Sequence, residues 1–167
     1  MIMKKLLIPL AAVLLSACAT AQYNSSSWRL DKKETLAVLP LENYTESAMA
    51  GVKTSAMAAG ILNASGIKTA DFYSGAEEKA RSEEELAAVM AGLAAKNIRY
   101  ALTGAVNEWK YKAGLEGEPT VSLTLSVRDT ATGAVLWASV ASRTGNSSQS
   151  TGVLAQKTLN RVLSAIK

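Results

Sequence analysis

Residues 120–129, Thr-Val-Ser-Leu-Thr-Leu-Ser-Val-Arg-Asp, carry the pattern that decides the fold of this chain. Apolar side chains occupy alternate positions (Val121, Leu123, Leu125 and Val127), and the residues between them are polar. Because successive side chains of a β-strand point to opposite faces of its sheet, one face of this strand is buried and the other meets water. One wet face is typical of antiparallel pairing, so we predict an antiparallel strand here.

Two further strands flank this one in the sequence. Arg99–Lys112 is the longest strand candidate in the chain. On the other side, residues 129–133 (Asp-Thr-Ala-Thr-Gly) have the composition of a turn and lead into a returning strand over 134–142, which contains Trp137. Three consecutive strands are therefore expected.

Helices and strands alternate in the rest of the chain. We predict a buried strand over 34–41, a helix over 46–63, a strand over 67–73, a helix from a capping box at Ser82 to about residue 96, and a last helix over 151–166. The expected buried stripes are Met49, Val52, Ala56, Ala59 and Leu62 in the first helix and Ala155, Leu159, Val162 and Ile166 in the last. The order β-α-β-α-β-β-β-α predicts an α/β fold. It is a two-layer or three-layer sandwich of helices on a mixed sheet, in a single domain over residues 34–167.

The amino terminus has the features of a secretory signal. Lys4 and Lys5 precede an apolar run over residues 6–15, which is too short to span a bilayer. The run ends in Leu15-Ser16-Ala17-Cys18, which resembles the bacterial lipobox, and Cys18 is the only cysteine in the chain. We therefore predict that residues 1–17 are a lipoprotein signal peptide; an ordinary signal cut at Ala17 or Ala21 is the alternative.

Lipidation of Cys18 would set the location of the protein. The lipobox resemblance implies a diacylglycerol on the sulfur and an acyl chain such as palmitate on the new amine. Two or more acyl chains hold a protein stably on a membrane. The next residue is Ala19 rather than Asp, which resembles lipoproteins of the outer membrane facing the periplasm. Residues 18–33 are polar and read as the lipidated cysteine and a tether, with Trp28 docking on the domain.

Composition excludes several classes of function. The chain has no histidine, and its one cysteine is assigned to the anchor, so Cys/His zinc sites, a Ser-His-Asp triad and an internal disulfide are ruled out. We expect no cofactor, no metal and no enzymatic activity. The net charge of +4 falls to +2 once Lys4 and Lys5 are removed. That charge is too small to indicate a nucleic-acid partner.

The connection Glu108–Pro119 between the third and fourth predicted strands is longer than a hairpin loop, which usually has two to five residues. We predict a projecting functional loop. Its acidic residues are Glu116 and Glu118, and its aromatic residues, Trp109 and Tyr111, are candidates for partner contacts.

Several segments together carry a family resemblance. They are the lipobox, Ala37-Val-Leu-Pro-Leu-Glu-Asn43, Tyr100-Ala-Leu-Thr-Gly104, the loop Glu108–Pro119 and the Thr-Gly-x-Val-Leu-Trp137 turn and strand. With them the chain resembles the PelC family of Pel polysaccharide export lipoproteins. The first strand and the last turn and strand are shared more widely with curli-secretion lipoproteins and with lipoprotein activators of peptidoglycan synthases. The long loop alone points to the Pel group.

The resemblance implies a periplasmic ring of identical subunits beneath the outer membrane. Such a ring forms an acidic funnel that guides a cationic amino-sugar polymer into a separate β-barrel porin. The acidic loop residue of the family, an aspartate, corresponds to Glu116 here, with Glu118 beside it. Relatives also carry a membrane-facing tryptophan before the last helix, where this chain has Asn146.

A second interpretation stays open, in which the protein is a regulatory lipoprotein that docks on a periplasmic cell-wall synthase. A tether over residues 19–33 would extend to only about 50 Å at roughly 3.3 Å per residue. That reach favours work close to the membrane, and hence export.

Overall fold

The computed structural model of the chain describes residues 20–24, 27–113 and 117–167. Cys18 and Glu116 lie outside the described residues, as does the predicted signal peptide. The strands are β1 (Thr20–Asn24), β2 (Thr35–Val38), β3 (Glu42–Asn43), β4 (Lys68–Asp71), β5 (Tyr100–Ala113), β6 (Glu118–Asp129) and β7 (Val135–Thr144). The helices are α1 (Ala50–Ala64), α2 (Glu83–Ala95) and α3 (Thr151–Leu163), and a 3-10 turn (Ser164–Ile166) follows α3.

The seven strands form one mixed sheet in the order β1-β7-β6-β5-β2-β4, and β3 pairs with β5 off this path. Strands β5, β6, β7 and β1 are antiparallel neighbours, whereas β2 runs parallel to both β4 and β5. The predicted alternation of β6 is confirmed, because Val121, Leu123, Leu125 and Val127 are buried and the residues between them are half-buried. The expected α/β sandwich on a mixed sheet is therefore present.

Helices cover both faces of this sheet, which makes the sandwich three-layered. On one face, α3 packs on β6 and β7, and α1 packs beside it on β5, β4 and β2. The shared core includes the alternate apolar residues of β6 and Trp137 of β7. On the other face, α2 packs through Met90 and Leu93 on Ala37 of β2 and Ala101 of β5. Full burial of a leucine-sized side chain contributes roughly 1.5–3 kcal/mol, so the larger cluster provides most of the stabilisation.

Two of the helices follow their sequence patterns closely. The capping box at Ser82 is present: the Glu85 N–H donates to the Ser82 hydroxyl at 3.2 Å, and the Ser82 N–H donates to the Glu85 carboxylate at 2.9 Å. All four residues of the predicted α3 stripe are buried, although Ile166 lies in the 3-10 turn that follows the helix.

Helix α1 follows its prediction only in part: Ala59 and Leu62 of the predicted stripe are buried, but Met49 and Ala56 are not. Met49 is 56 % exposed and precedes the helix, Ala56 is exposed, and the buried residues include Gly51, Thr54 and Ser55. The reason is that this helix docks on the chain through polar contacts. The Leu41 N–H donates to the Ser55 hydroxyl at 3.0 Å. That hydroxyl in turn lies within donating distance of two carbonyl oxygens, that of Gly51 at 2.9 Å and that of Leu39 at 3.1 Å. A hydrophobic pattern cannot predict a face held by small residues and hydroxyls.

The structure also contains two strands that the sequence pattern does not predict. Strand β3 follows Pro40, and β1 lies within the segment expected to be a tether. Strand β1 extends the sheet by antiparallel pairing, with Thr20 opposite Arg143 and Asn24 opposite Ser139. Trp28 docks on the domain as expected, with its ring centre 5.3 Å from that of Tyr100 in an edge-on arrangement.

Candidate functional site

The β5–β6 hairpin contains the predicted functional loop, but most of that loop is strand. Pairing continues from Trp109 opposite Val121 through Lys110 opposite Thr120 to Ala113 opposite Glu118. The connection over Glu108–Pro119 that the sequence predicts as a projecting loop is therefore largely strand, with residues 108–113 in β5 and residues 118 and 119 in β6. Strand β5 matches the predicted strand Arg99–Lys112 to within one residue at each end. The aromatic residues at 109 and 111 favour this extended backbone.

The two predicted contact residues of this hairpin lie in different environments. Trp109 is half-buried and packs against the main apolar cluster. Tyr111 is 62 % exposed at a position between the paired residues Lys110 and Ala113, where the register shifts. Tyr111 is therefore available at the surface, whereas part of the Trp109 ring belongs to the core.

The predicted acidic pair is described only in part. Glu118 is half-buried as the first residue of β6, opposite Ala113, and Glu116 is outside the described residues. Glu118 thus lies near the end of the hairpin that is opposite the Asp129 turn.

A cavity of about 520 Å³ lies between the β3–α1 loop and the β5–β6 hairpin. Its lining includes Tyr44 and Glu46 from the loop and Asn107, Glu108, Trp109 and Lys110 from β5. This volume is within the range of about 300–1,000 Å³ that ligand sites usually have. The sequence pattern singles out only Trp109 among these residues, because residues 43–47 read as an ordinary turn.

Asn43 holds the loop side of this cavity in place. Its side-chain oxygen accepts hydrogen bonds from the Thr45 N–H at 3.0 Å and from the Thr45 hydroxyl at 2.8 Å. Its amide group donates to the Ser47 carbonyl at 2.8 Å and to the Glu78 carboxylate at 2.9 Å. An asparagine that bonds its own backbone two residues on makes a defined turn, so the positions of Tyr44 and Glu46 are set by local bonds.

A β-bulge forms the strand side of the cavity. The β5–β6 register shifts between Val106 and Glu108, which leaves Asn107 without a pairing residue in the ladder. The Asn107 side chain instead donates to the Thr124 hydroxyl at 2.8 Å. Bulges redirect the side chains that follow them and are common beside functional sites.

Carboxylates dominate the charge around the cavity. The Tyr44 hydroxyl donates to the Glu42 carboxylate at 2.6 Å, and this hydrogen bond to a negative group raises the pKa of Tyr44. Lys110 is the cation of the lining, and its ammonium lies 3.1 Å from the Glu108 carboxylate. Among the described residues, none forms a hydrogen bond or an ion pair with the Glu46 carboxylate.

The opposite end of the sheet carries an ordered turn rather than a site. Burial raises the pKa of Asp129, but hydrogen bonds from the Thr132 N–H, the Arg99 guanidinium and the Ala131 N–H together lower it below its ordinary value. These bonds close the predicted β6–β7 turn, with Arg99 at 3.3 Å from the carboxylate. Asp129 therefore has a structural role.

Neither a metal centre nor a membrane span is found in the part of the chain that the structure describes. Within residues 20–24, 27–113 and 117–167, no three acidic, cysteine or histidine side chains come together as metal ligands would. No helix over the same ranges combines the length and apolar character needed to cross a bilayer.

Comparisons with solved structures identify relatives of this fold. The chain is 31 % identical to a PelC dodecamer from Paraburkholderia phytofirmans, with a TM-score of 0.75, over 89 % of this chain and 98 % of that one. A point variant of that PelC, also a dodecamer, matches at 32 % identity with the same coverage and TM-score. Lipoprotein GNA1162 from Neisseria meningitidis shares the fold at 20 % identity and a TM-score of 0.54, over 78 % of this chain and 99 % of that one.

Neither models of protein families nor curated proteins give a match to this chain. The solved PelC structures therefore carry the assignment, because their identity exceeds 30 % over nearly the whole of the PelC chain. Three of the segments that suggest this relationship in the sequence lie in the core strands. Residues 37–43 contain the end of β2 and the whole of β3, residues 100–104 begin β5, and residues 132–137 form the turn into β7. The chain belongs to the PelC family.

Proposed function

We propose that this protein is a lipid-anchored periplasmic component of a Pel-type exopolysaccharide export apparatus at the outer membrane. It assembles into a homo-oligomeric ring whose acidic lumen guides a cationic polymer to an outer-membrane β-barrel porin. The observation that carries the proposal is the similarity to a PelC dodecamer. The two chains are 31 % identical, and the match covers 98 % of the PelC chain. The protein acts by guidance and has no catalytic role.

The sheet supports self-association. Strands β1 and β4 are its two edges, and an edge strand leaves backbone groups free to meet another chain. Tyr23 of β1 is opposite Val140 of β7, and these side chains are 75 % and 46 % exposed. Exposed apolar residues side by side on a small domain are suited to burial between subunits.

The position of β1 supports work close to the membrane. Cys18 precedes Thr20 by two residues, so a lipid on Cys18 would be within about 7 Å of the sheet at roughly 3.3 Å per residue. Thr20 is opposite Arg143, and Thr144 is opposite Thr120 of β6. The start of β1 and the start of β6 therefore lie at the same end of the sheet.

This short connection favours export over the second candidate, the regulation of a cell-wall synthase. A regulator anchored in the outer membrane has to reach across the peptidoglycan, for which it needs a long free tether. Pairing of residues 20–24 with β7 removes five residues from the tether over 19–33. The domain is then held against the membrane, where a porin would be its neighbour.

Deletion of the gene tests the proposed function. Polymer recovered from the culture surface should fall strongly, and polymer should accumulate in the periplasm, while plasmid-borne wild-type protein restores export. Native mass spectrometry of the protein extracted in detergent should give one discrete homo-oligomer. Unchanged export in the deletion strain would exclude the role, and a strictly monomeric extract would exclude the ring.

A further inference from the structure

The cavity beside Trp109 lies where an α/β sheet commonly binds ligands. Strand β3 runs parallel to β5, and the loop that bears Tyr44 and Glu46 begins at the carboxyl end of β3. Ligands of open α/β sheets bind in crevices beyond the carboxyl ends of parallel strands. The opposing wall is the bulged part of β5, so a pre-formed loop and a bulge border the space on two sides.

The aromatic part of the lining suits a sugar ring. Trp109 is half-buried against the core and also lines the cavity, so its indole is held in place while part of it remains accessible. Tyr44 is 60 % exposed, and its hydroxyl is tied to Glu42. Rigid aromatic surfaces offer a large apolar area with a negative face, on which the C–H groups of a pyranose can pack.

The charged part of the lining suits an ammonium group. Glu46 and Glu108 present two carboxylates to the same cavity. Lys110 pairs with Glu108 at 3.1 Å, but the Lys110 side chain is 64 % exposed, and such surface pairs contribute little and exchange readily. An incoming ammonium can therefore replace Lys110 as the partner of Glu108, and Glu46 is available to accept a second bond.

Small polar groups complete the lining. Thr45 and Ser122 border the cavity with hydroxyl groups, and Asn107 borders it with an amide. A mostly apolar or aromatic surface with a few convergent polar groups is the usual composition of a small-ligand site. Hydroxyl and amide groups can both donate to and accept from the hydroxyls of a sugar.

We infer that this cavity is a subsite for a single amino-sugar residue, with the ring on the Trp109 and Tyr44 surface and the ammonium between Glu46 and Glu108. The inference rests on the proposed function and extends it, because it names the unit of the polymer that each subunit holds. A neutral sugar would leave the Glu46 carboxylate without a cation. A linear polyamine would leave the aromatic surface unused.

Binding measurements on the full-length gene product, extracted in detergent, test the subsite. Isothermal titration is carried out at about pH 6, which keeps the sugar amine protonated. The probes are a glucosamine hexasaccharide, an N-acetylglucosamine hexasaccharide and spermine. The glucosamine probe should bind at least about tenfold more tightly than either of the others. If the acetylated probe binds equally well, the role of the carboxylates is overturned. If spermine binds equally well, the role of the aromatic surface in holding a sugar is overturned.

Matched variants assign the binding to this cavity. Glu46→Gln and Glu108→Gln should each weaken binding of the glucosamine probe several-fold, and Tyr44→Ala should weaken both saccharides. Lys110→Gln should strengthen binding because it removes the competing ammonium. Glu77→Gln, at an exposed carboxylate paired with Lys79 outside this lining, is the control and should bind as the wild type does. If Glu46→Gln and Glu108→Gln also bind as the wild type does, the site is elsewhere.

The outcome for the subsite is separate from the outcome for the proposed function. If export depends on the gene but the purified protein binds no glucosamine probe, the subsite is overturned and the export role stands. If export is unchanged by gene deletion, the proposed function fails whatever the protein binds.

Discussion

Gly51 and Leu41 approach each other so closely that a Cβ atom placed on Gly51 would overlap the Leu41 carbonyl oxygen. This contact joins the start of α1 to the chain between β2 and β3. It lies beside the Ser55 hydroxyl, which accepts from the Leu41 N–H. The residues that follow Leu41 form β3 and then the Tyr44–Glu46 wall of the cavity, so the packing of α1 also positions the candidate site.

Gly51→Ala should therefore destabilise the protein, because backbone atoms rather than a movable side chain occupy the space. Overpacking of this kind typically costs about 1–3 kcal/mol and sometimes more. Gly60→Ala is the matched control in the same helix, since nothing lies within 4 Å of its added Cβ. Alanine is the better helix former by roughly 0.5–1 kcal/mol, so this control should be slightly more stable than the wild type. Urea unfolding followed by circular dichroism measures the stability of both variants. Similar unfolding midpoints for Gly51→Ala and Gly60→Ala would contradict the close approach of Gly51 to Leu41.

Asp129 should make stability depend on acid pH. Although burial raises its pKa, the bonds from Thr132, Arg99 and Ala131 bring the folded-state pKa below the ordinary 3.8. A depressed carboxyl pKa contributes stability that is complete above the unfolded-state pKa and is lost as the pH falls through the folded-state pKa. Unfolding midpoints should accordingly fall from about pH 5 downwards.

Asp129→Asn isolates this contribution. The variant should be less stable at neutral pH, because an amide cannot replace the charge-assisted bond from Arg99, and its stability should decline less steeply below about pH 5. Asp71→Asn is a comparison at an exposed carboxylate on an edge strand. An acid profile of Asp129→Asn with the wild-type slope would contradict the assigned role.

Cys18→Ser should abolish lipidation and leave an unprocessed precursor at the inner membrane. The reason is that the thiol accepts the diacylglycerol before the signal is cut. Membrane fractionation with an immunoblot distinguishes precursor from mature protein, and Ser16→Ala, which keeps a small residue before the cysteine, should be processed normally. Mature Cys18→Ser protein in the outer membrane would show that the anchor is elsewhere.

The acidic residues Glu116 and Glu118 should promote export because a ring of subunits repeats each of these carboxylates around one opening. One exposed carboxylate–ammonium pair contributes only about 0–1 kcal/mol, but a ring of carboxylates around a confined opening concentrates a cationic polymer. Glu116→Gln with Glu118→Gln should reduce exported polymer several-fold without a change in folding or lipidation. Lys110→Gln with Lys112→Gln is the control and should not impair export. Normal export by the double glutamate variant would place the funnel outside this hairpin.

Much of the fold could be predicted because its signals are local. The alternation in β6, the Asp129–Gly133 turn, the capping box at Ser82 and the stripe of α3 each depend on residues a few positions apart. The period of a strand or a helix alone determines which of these residues share a face, so such spacings can be recognised in the sequence. The lipobox is likewise a short contiguous motif, and the family resemblance follows segments that coincide with these elements.

Only the tertiary structure decided the remaining features, because they depend on partners that are distant in sequence. Strand β1 has polar residues and becomes a strand only by pairing with β7, and the buried face of α1 is chosen by hydrogen bonds to Leu39 and Leu41. The cavity brings together Glu46 and Glu108, which are 62 positions apart, and only the parallel pairing of β3 with β5 makes them neighbours. Periodicity records which face of an element is apolar, but it carries no information about which element lies opposite.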